Sequence, residues 1–440
     1  MMKKGLTRRD FLKSVGVGGA SLAVASLIDL SRAYAQSGEE IVVRYLTPSW
    51  ASTRDRRPER QVAFRGAIDS FNSQFASQGI RVEEIVGDGA TLTITQEIEA
   101  GNVDAIWFNH GEFQSRYGAG QLVDLNQYEA QIDQFFDFVQ NTVTAPDGAV
   151  AALWHNTDTP LYYYNTTKIP TAPATWSELV AICQQIREEE GGNKYGFVTP
   201  YVGWFQVNFG MYVALGGTLV DENGAPTAFT PENLDIWRIV FGHAVSLIQD
   251  DLIPASAVGN LQNQMLPDVF AGNVYSFAGN SNFHTRELLP NLPPEEYANW
   301  AAAPLPYPDE AGSGLNVAGG WGIAAVNSDN AAQNAAAAAW AIHATNQSAM
   351  ANTCLAGGWI PTRPEILSAD PFYSEDAFAQ VTLQALESGW VVPTAPIFNE
   401  MWPAFDVAIQ RAATGEVSID EALSEAEAEI NRAYEALQSS

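Results

Sequence analysis

Short β-prone runs alternate with helix-patterned segments from residue 41 onward, and that alternation leaves few folds open to the chain. Residues 41–46 read IVVRYL, a strand that ends at Thr47-Pro48-Ser49. Val62, Phe64, Ile68, Phe71 and Phe75 then recur near helical spacing until Gly79 stops them. A second strand is expected over 80–86, a helix over 92–100 ended by Gly101, and a buried strand over 103–108. Such an order implies a parallel or mixed sheet covered by helices. Later helices announce themselves at their starts. Thr175-Trp176-Ser177-Glu178 and Ser418-Ile419-Asp420-Glu421 both carry the hydroxyl-to-carboxylate spacing of a capping box. Behind the first, Trp176, Leu179, Cys183 and Ile186 share a face. Behind the second, Ile419, Leu423, Ala426, Ile430, Ala433 and Leu437 form one apolar stripe. The Ala-rich stretch 331–344 reads as a close-packed helix. At 440 residues the chain exceeds what one core usually holds, yet no Gly/Ser or Pro linker divides it. The expected result is two lobes, crossed several times by the chain, with a cleft between them.

The first 35 residues belong to a different problem. Thr7-Arg8-Arg9-Asp10-Phe11-Leu12-Lys13 fits the twin-arginine export consensus, a weakly apolar run follows from Val15 to Ile28, and Ala33-Tyr34-Ala35 supplies a small-x-small cleavage pattern. The apolar run is too short to span a bilayer. Residues 1–35 are therefore expected to be a twin-arginine signal peptide, with a soluble mature chain starting at Gln36 and working in the periplasm or outside the cell. No cysteine lies near the cleavage point, so no lipid anchor is expected. The whole chain has 22 basic and 51 acidic residues, a net charge of −29. The leader holds six of the basic and two of the acidic residues, which leaves 16 against 49, a net of −33, with Lys168 and Lys194 as the mature lysines. This excess repels phosphate backbones and excludes nucleic acid as a partner. It suits either a high-salt habitat, where screening removes self-repulsion, or an ordinary acidic secreted protein.

Motifs for catalysis and metal binding are lacking. His110, His155, His243, His284 and His343 show no HxxxH or HExxH spacing, so each is expected to be a packed or surface residue. There is no GxSxG elbow, no phosphate-binding glycine loop and no dinucleotide fingerprint, and no cofactor, metal or catalytic residue is expected. Cys183 and Cys354 are read as two buried thiols, with pairing after export as the alternative. The aromatic content, 12 Trp, 15 Tyr and 21 Phe, points elsewhere. Trp50, Trp154, Trp321 and Trp359 sit beside Gly, Pro, Asp or Asn, where chains usually turn. A sugar offers apolar C–H faces and a rim of hydroxyls, so flat aromatics beside carboxylates, amides and guanidinium groups suit it.

Six motifs in order resemble the family 1 extracellular solute-binding proteins of ABC importers, the group that includes maltose- and trehalose-binding proteins. Asp104-Ala105-Ile106-Trp107-Phe108, followed by Phe113, Gly118 and Leu122-Val123-Asp124-Leu125, is similar to the family's D-V-V, aromatic, G-L-L-x-x-L-D stretch. Residues 153–165, LWHNTDTPLYYYN, resemble its P-W-x-x-D-T-x-x-L-Y-Y-N signature, and residues 173–179, PATWSEL, its P-x-T-W-D-E-L. Phe270-Ala271-Gly272-Asn273 is similar to F-x-x-G-K, with the Lys replaced. Gly319-Gly320-Trp321-Gly322-Ile323 matches G-G-W-G-I, and residues 358–363, GWIPTR, match G-x-x-P-T-R.

The resemblance implies an α/β, two-lobed periplasmic-binding-protein fold of type II, with mixed sheets flanked by helices and three hinge crossings. Its lobes would be 38–155 plus 303–345, and 156–302 plus 346–440. It also implies a ligand site. Asp158 matches the signature carboxylate that accepts sugar hydroxyls, with Asn156 two residues before it, and Trp321 matches a ring-stacking tryptophan. Asn109 and His110 follow the strand that ends at Phe108, and Trp50 and Arg54 come from the first strand–helix loop. Asn280, Asn282 and Phe283 lie near a family N-W position whose Trp is missing, and Arg363 sits at a cleft-facing position. The function implied is reversible binding of a mono- or oligosaccharide or sugar-like osmolyte by a monomer, which delivers it to the transmembrane permease. The alternatives are a polar non-sugar, such as a polyamine or amino acid derivative, or a secreted polysaccharide hydrolase or lyase.

Overall fold

The computed structural model describes residues 40–203 and 205–439. The twin-arginine segment and the cleavage point at Ala35 lie outside the described residues. From residue 41 the expected alternation is present: β1 (Ile41–Pro48), the helix Pro58–Phe75, β2 (Ile80–Gly87), the helix Thr91–Glu99 and β3 (Ala105–Asn109). Both β2 and β3 pair in parallel with β1. Next come β4 (Leu153–Asp158), β5 (Pro160–Asn165), β6 (Ser276–Asn280), β7 (Trp300–Pro304), β8 (Asn316–Ala325), β9 (Ile360–Pro361) and β10 (Gly389–Val391). The larger sheet runs β2-β1-β3-β8-β4-β9, with β10 also on β8; the smaller runs β6-β5-β7. In the larger sheet β8 is antiparallel to β3 and β4, so that sheet is mixed, whereas the smaller one is antiparallel throughout. The mixed α/β architecture read from the sequence is the one found.

Two hydrophobic cores back these sheets. The first gathers side chains from β1 to β4 with Trp340, Met350, Cys354, Trp359 and Ile366. The second gathers Leu161, Tyr162, Cys183, Trp237, Leu305, Val317 and the helices Phe398–Ala413 and Ile419–Ser439. Cys183 and Cys354 are thus free, buried and in different cores, which closes the pairing alternative. His110, His155, His284 and His343 are buried, and half-buried His243 stacks on Trp176 at 4.1 Å. Burial pushes the imidazoles of His110, His155, His243 and His343 down to about 4, so they are neutral at neutral pH.

Local chemistry explains the helix boundaries. The Thr175 hydroxyl accepts from the Glu178 N–H at 3.4 Å. Glu178 turns to the Ala174 N–H at 2.7 Å, one residue outside the expected box. Two stripe residues depart from expectation. Leu437 is exposed because the helix Ile419–Ser439 runs on past the second core, whose last fully buried contact from it is Ile430. Val62 is 56% exposed, since the buried face of the helix Pro58–Phe75 runs through Arg60, Phe64, Ala67, Phe71 and Phe75. A charged residue therefore occupies the place the apolar pattern gave to Val62.

Candidate functional site

Strand β4 ends in the larger sheet at Asp158, and β5 begins in the smaller at Pro160, so the chain crosses between sheets over two residues. Strand β8 lies alongside, pairing with β4 from Asp158↔Gly319 onward. A cleft of about 510 Å³ opens beside this crossing, within the range of ligand pockets.

One wall is residues 49–60, the turn after β1 and the first residues of the helix Pro58–Phe75, with Trp321 and Trp359. Trp50 is the hub: its ring meets Trp321 edge-on at 4.8 Å and Trp359 at 5.8 Å. Internal bonds lock the turn that carries it. The Thr47 hydroxyl donates to the Ala51 carbonyl and the Ser52 hydroxyl to the Ser49 carbonyl, both at 2.8 Å. Arg60 donates to the carbonyls of Gly357 (2.6 Å), Trp50 (3.2 Å) and Ala356 (3.3 Å), and lies 4.5 Å over the Trp359 ring. Burial, with Arg57 nearby, pulls the Arg60 guanidinium down to about 9. The Asp55 carboxylate takes two bonds from the Arg57 side chain, at 2.8 and 2.9 Å, and faces Arg60 at 3.6 Å. Burial alone would raise the Asp55 carboxyl, but these partners hold it below the usual carboxylate range.

Glycines bring Trp321 to the cleft. A Cβ on Gly320 would lie 2.0 Å from the Asn156 carbonyl oxygen, and one on Gly322 2.4 Å from the Phe113 ring. Only glycine lets β8 lie so close to β4 there. The pairing shifts register between Trp154 and Asn156, and the Trp154 indole N–H donates to the Asn156 carbonyl at 2.7 Å.

The opposite wall is Asp158, Asn280, Asn282 and Arg286. The Tyr163 hydroxyl holds it by bonding the carbonyls of Asn280 (2.9 Å) and Ser281 (2.8 Å). Its polar groups are left open. The Asn282 side-chain oxygen is buried without a partner among the described residues. The half-buried Asp158 carboxylate likewise accepts no hydrogen bond among them, and desolvation pushes it up to about 6, with Arg286 pulling the other way. Arg286 donates through Nε to Glu287 at 2.6 Å and lies 4.8 Å over the Phe283 ring.

Trp50, Arg54, Asp158, Asn280, Asn282 and Trp321 therefore come together on the cleft, while five other sequence-derived candidates lie off it. Asn109 caps the turn after β3, its side chain accepting from the Gly111 N–H at 3.0 Å. His110 is buried, stacked 4.7 Å from Trp154 and bonded to the Gly320 backbone at 3.2 Å. Asn156 is fully buried in β4 between β8 and β9, and Phe283 lies under Arg286 in the second core. Arg363 is tied to the Thr345 carbonyl at 2.7 Å and to Gln134, over the Phe135 ring. Ser49, Asp55, Arg56, Arg57, Arg60, Arg286 and Trp359 line the cleft without having been singled out as contacts. The run Arg54-Asp55-Arg56-Arg57-Pro58-Glu59-Arg60 was the available signal, with Arg60 on the apolar face of its helix. Among the described residues no group of three or more His, Cys, Asp or Glu side chains could hold a metal ion, and no helix is long and apolar enough to cross a membrane.

The family model for bacterial extracellular solute-binding proteins matches residues 66–380. No curated protein matches the chain in sequence. Among solved structures, the sugar-binding protein MalE of the phytopathogen Xanthomonas citri superposes with a TM-score of 0.73 at 18% identity, over 91% of this chain and 100% of that one. The maltose-bound MalE3 of T. maritima gives 0.70 at 20% identity, over 89% and 99%. The cyclic alpha-maltosyl-1,6-maltose binding protein of Arthrobacter globiformis gives 0.69 at 20% identity, over 89% and 98%. At these identities the likeness establishes the fold.

Proposed function

The chain belongs to the bacterial extracellular solute-binding proteins, and from that premise we propose that it reversibly binds a carbohydrate and hands it to a membrane ABC permease. One observation carries this reading: a tryptophan cluster faces an Asn282 oxygen and an Asp158 carboxylate that have no hydrogen-bond partner among the described residues. Trp50 and Trp321 offer flat apolar surface to a sugar ring. Across from them, Asp158 and Asn282 offer acceptors for hydroxyls. The maltose, maltodextrin and other saccharide ligands named for the structural neighbours point the same way.

The site residues are then Trp50, Arg54, Asp158, Asn280, Asn282 and Trp321, joined by Trp359 and Arg286. The lobes follow the cores: 41–154 with 323–376, and 161–317 with 389–430, the helix Ala377–Glu387 bridging them through Phe378 and Ala379. This division moves 303–317 and 346–376 to the opposite lobe from the one implied by the family resemblance. Closure is a hinge motion about the crossings, and the permease reads the closed form. The protein acts as a monomer, exported through the twin-arginine leader around Arg8 and Arg9.

The binding is non-catalytic. Of the two carboxylates on the cleft, Asp55 is committed to Arg57 and Arg60 and is not free to act as an acid or base. Five arginines on the cleft also weigh against a polyamine. A thermal-shift screen of the mature protein against sugars, polyols, amino acids and polyamines tests this, with products checked by chromatography. At 100 times its dissociation constant a ligand adds roughly 2.7 kcal/mol, a visible shift. A shift with saccharide and no new product is expected; a shift only with amino acids or polyamines, or turnover of a glycan, would overturn it.

A further inference from the structure

The cleft reverses the charge of the molecule that contains it. The chain carries −29, yet Arg54, Arg56, Arg57, Arg60 and Arg286 line the cleft against two carboxylates, Asp55 and Asp158. Five of the fourteen arginines beyond residue 35 thus converge on one site. Elsewhere this acidic chain finds its arginines a carboxylate: Arg44, Arg81, Arg116, Arg187, Arg238, Arg363, Arg411 and Arg432 all have one within 4.0 Å, exposed Arg65 being the exception. On the cleft, Arg54 and Arg56 have none among the described residues. Arg286 gives only Nε to Glu287, which leaves its terminal nitrogens without a protein partner among the described residues. Arg57 and Arg60 are held by the loop but add two positive charges behind it, offset by the single carboxylate of Asp55.

A neutral sugar would be served by the tryptophans and by Asp158. It gives no reason to leave Arg54, Arg56 and the terminal nitrogens of Arg286 open in a chain with so many carboxylates available. Their planar forks match a carboxylate, sulfate or phosphate. A second, independent group points into the same space: the Asn282 side chain, 3% exposed, keeps an oxygen unpartnered and can take a hydroxyl of the same ligand. Resting on the reading of the cleft as a saccharide site, we propose that its ligand is an anionic saccharide, whose ring lies on Trp50 and Trp321 and whose oxyanion faces Arg54, Arg56 and Arg286.

Calorimetric titration of the mature protein tests this with glucuronate, galacturonate, digalacturonate, glucose 6-sulfate and glucose 6-phosphate beside glucose, maltose, inorganic sulfate and inorganic phosphate. An acidic saccharide should bind at least roughly tenfold more tightly than its neutral counterpart, with the advantage shrinking between about 50 and about 500 mM salt. Whichever of carboxylate, sulfate or phosphate binds best identifies the oxyanion. Arg54→Gln and Arg56→Gln, at exposed positions that leave the fold intact, should each weaken the acidic saccharide several-fold and a neutral sugar by clearly less. Neutral sugars binding as well as acidic ones would overturn the anionic assignment and leave the saccharide site standing. Inorganic sulfate or phosphate binding as tightly as the sugar acids would also overturn it. Binding of amino acids or polyamines with no saccharide of either kind would instead remove the saccharide reading beneath it.

Discussion

The two walls of the cleft are built on opposite terms. The Ser49–Arg60 wall is finished without a ligand: Arg60 holds three carbonyls, Asp55 is bracketed by Arg57 and Arg60, and Trp50 packs edge-on against Trp321 and Trp359. The wall of Asp158, Asn280, Asn282 and Arg286 has its backbone fixed by Tyr163, but leaves side-chain acceptors open. Damage to the internally bonded groups of the first wall, Arg60 above all, should therefore appear mainly as lost stability, and damage to ligand-facing side chains, Trp321 on the first wall and Asn282 on the second, mainly as lost affinity.

The largest effect is expected at Arg60. Arg60→Ala strands three carbonyls in a buried site, leaves Asp55 to Arg57 alone and removes the cation over Trp359, costing about 3–5 kcal/mol in urea unfolding. Arg54→Ala, exposed on the same loop, should stay within about 0.5 kcal/mol. If the two variants unfolded alike, the first wall would not be the self-supporting one. Gly320→Ala follows, because its Cβ would lie 2.0 Å from the Asn156 carbonyl; the overlap should cost about 1–3 kcal/mol and displace Trp321, seen as lost stability together with a shifted tryptophan emission. Trp321→Ala, a half-buried ring, should cost about 2 kcal/mol of saccharide affinity, roughly thirtyfold, with a smaller loss in melting temperature.

Asp158→Asn sharpens the contrast through pH. The Asp158 carboxyl sits at about 6 in the folded protein against 3.8 ordinarily, so the folded state holds this proton more tightly than the unfolded chain does. Its contribution to stability is complete below about 3.8 and is lost as pH rises through about 6. Arg286, on the same wall, pulls the other way, and the His110 imidazole, beyond Gly319 and held at about 4, is neutral over most of this range. The ligand-free variant should therefore melt higher than wild type at pH 7, by about 1 kcal/mol of stability, with the gap closing towards pH 4. A gap constant with pH would mean that the carboxylate is not desolvated. The smallest effect on affinity belongs to Arg363→Ala. That variant should unfold more easily, having lost the Thr345 and Gln134 contacts, and yet bind saccharide like wild type.

Legibility from sequence followed the same divide. Periodicity and glycine stops located the early strands and helices to within a residue or two, because burial on one face imposes its own spacing. The G-G-W-G stretch pointed to Trp321 through its match to the family motif, and close strand packing accounts for the glycines on either side of the ring. Asp158 was legible through the signature around it. Arg60 was not, since a charge at an apolar position reads as a break in the stripe until the carbonyls of Ala356 and Gly357, nearly three hundred residues away, are seen to receive it. Arg286 was hidden similarly, its place on the cleft being set by the pairing of β6 with β5. His110, Asn156 and Arg363 show the converse. Position near a motif suggested contact, but each has backbone or packing partners that draw it inside.

Calorimetric titration of the tightest-binding saccharide into wild type, Trp321→Ala and Asn282→Ala tests the two-walled cleft most directly. Asn282→Ala removes no side-chain hydrogen bond found within the described protein, so its fold should persist. The expected result is one site in the wild type, weakened at least roughly tenfold in each variant, without chemical change in the sugar. Wild-type affinity in both variants would place the ligand elsewhere and contradict the site.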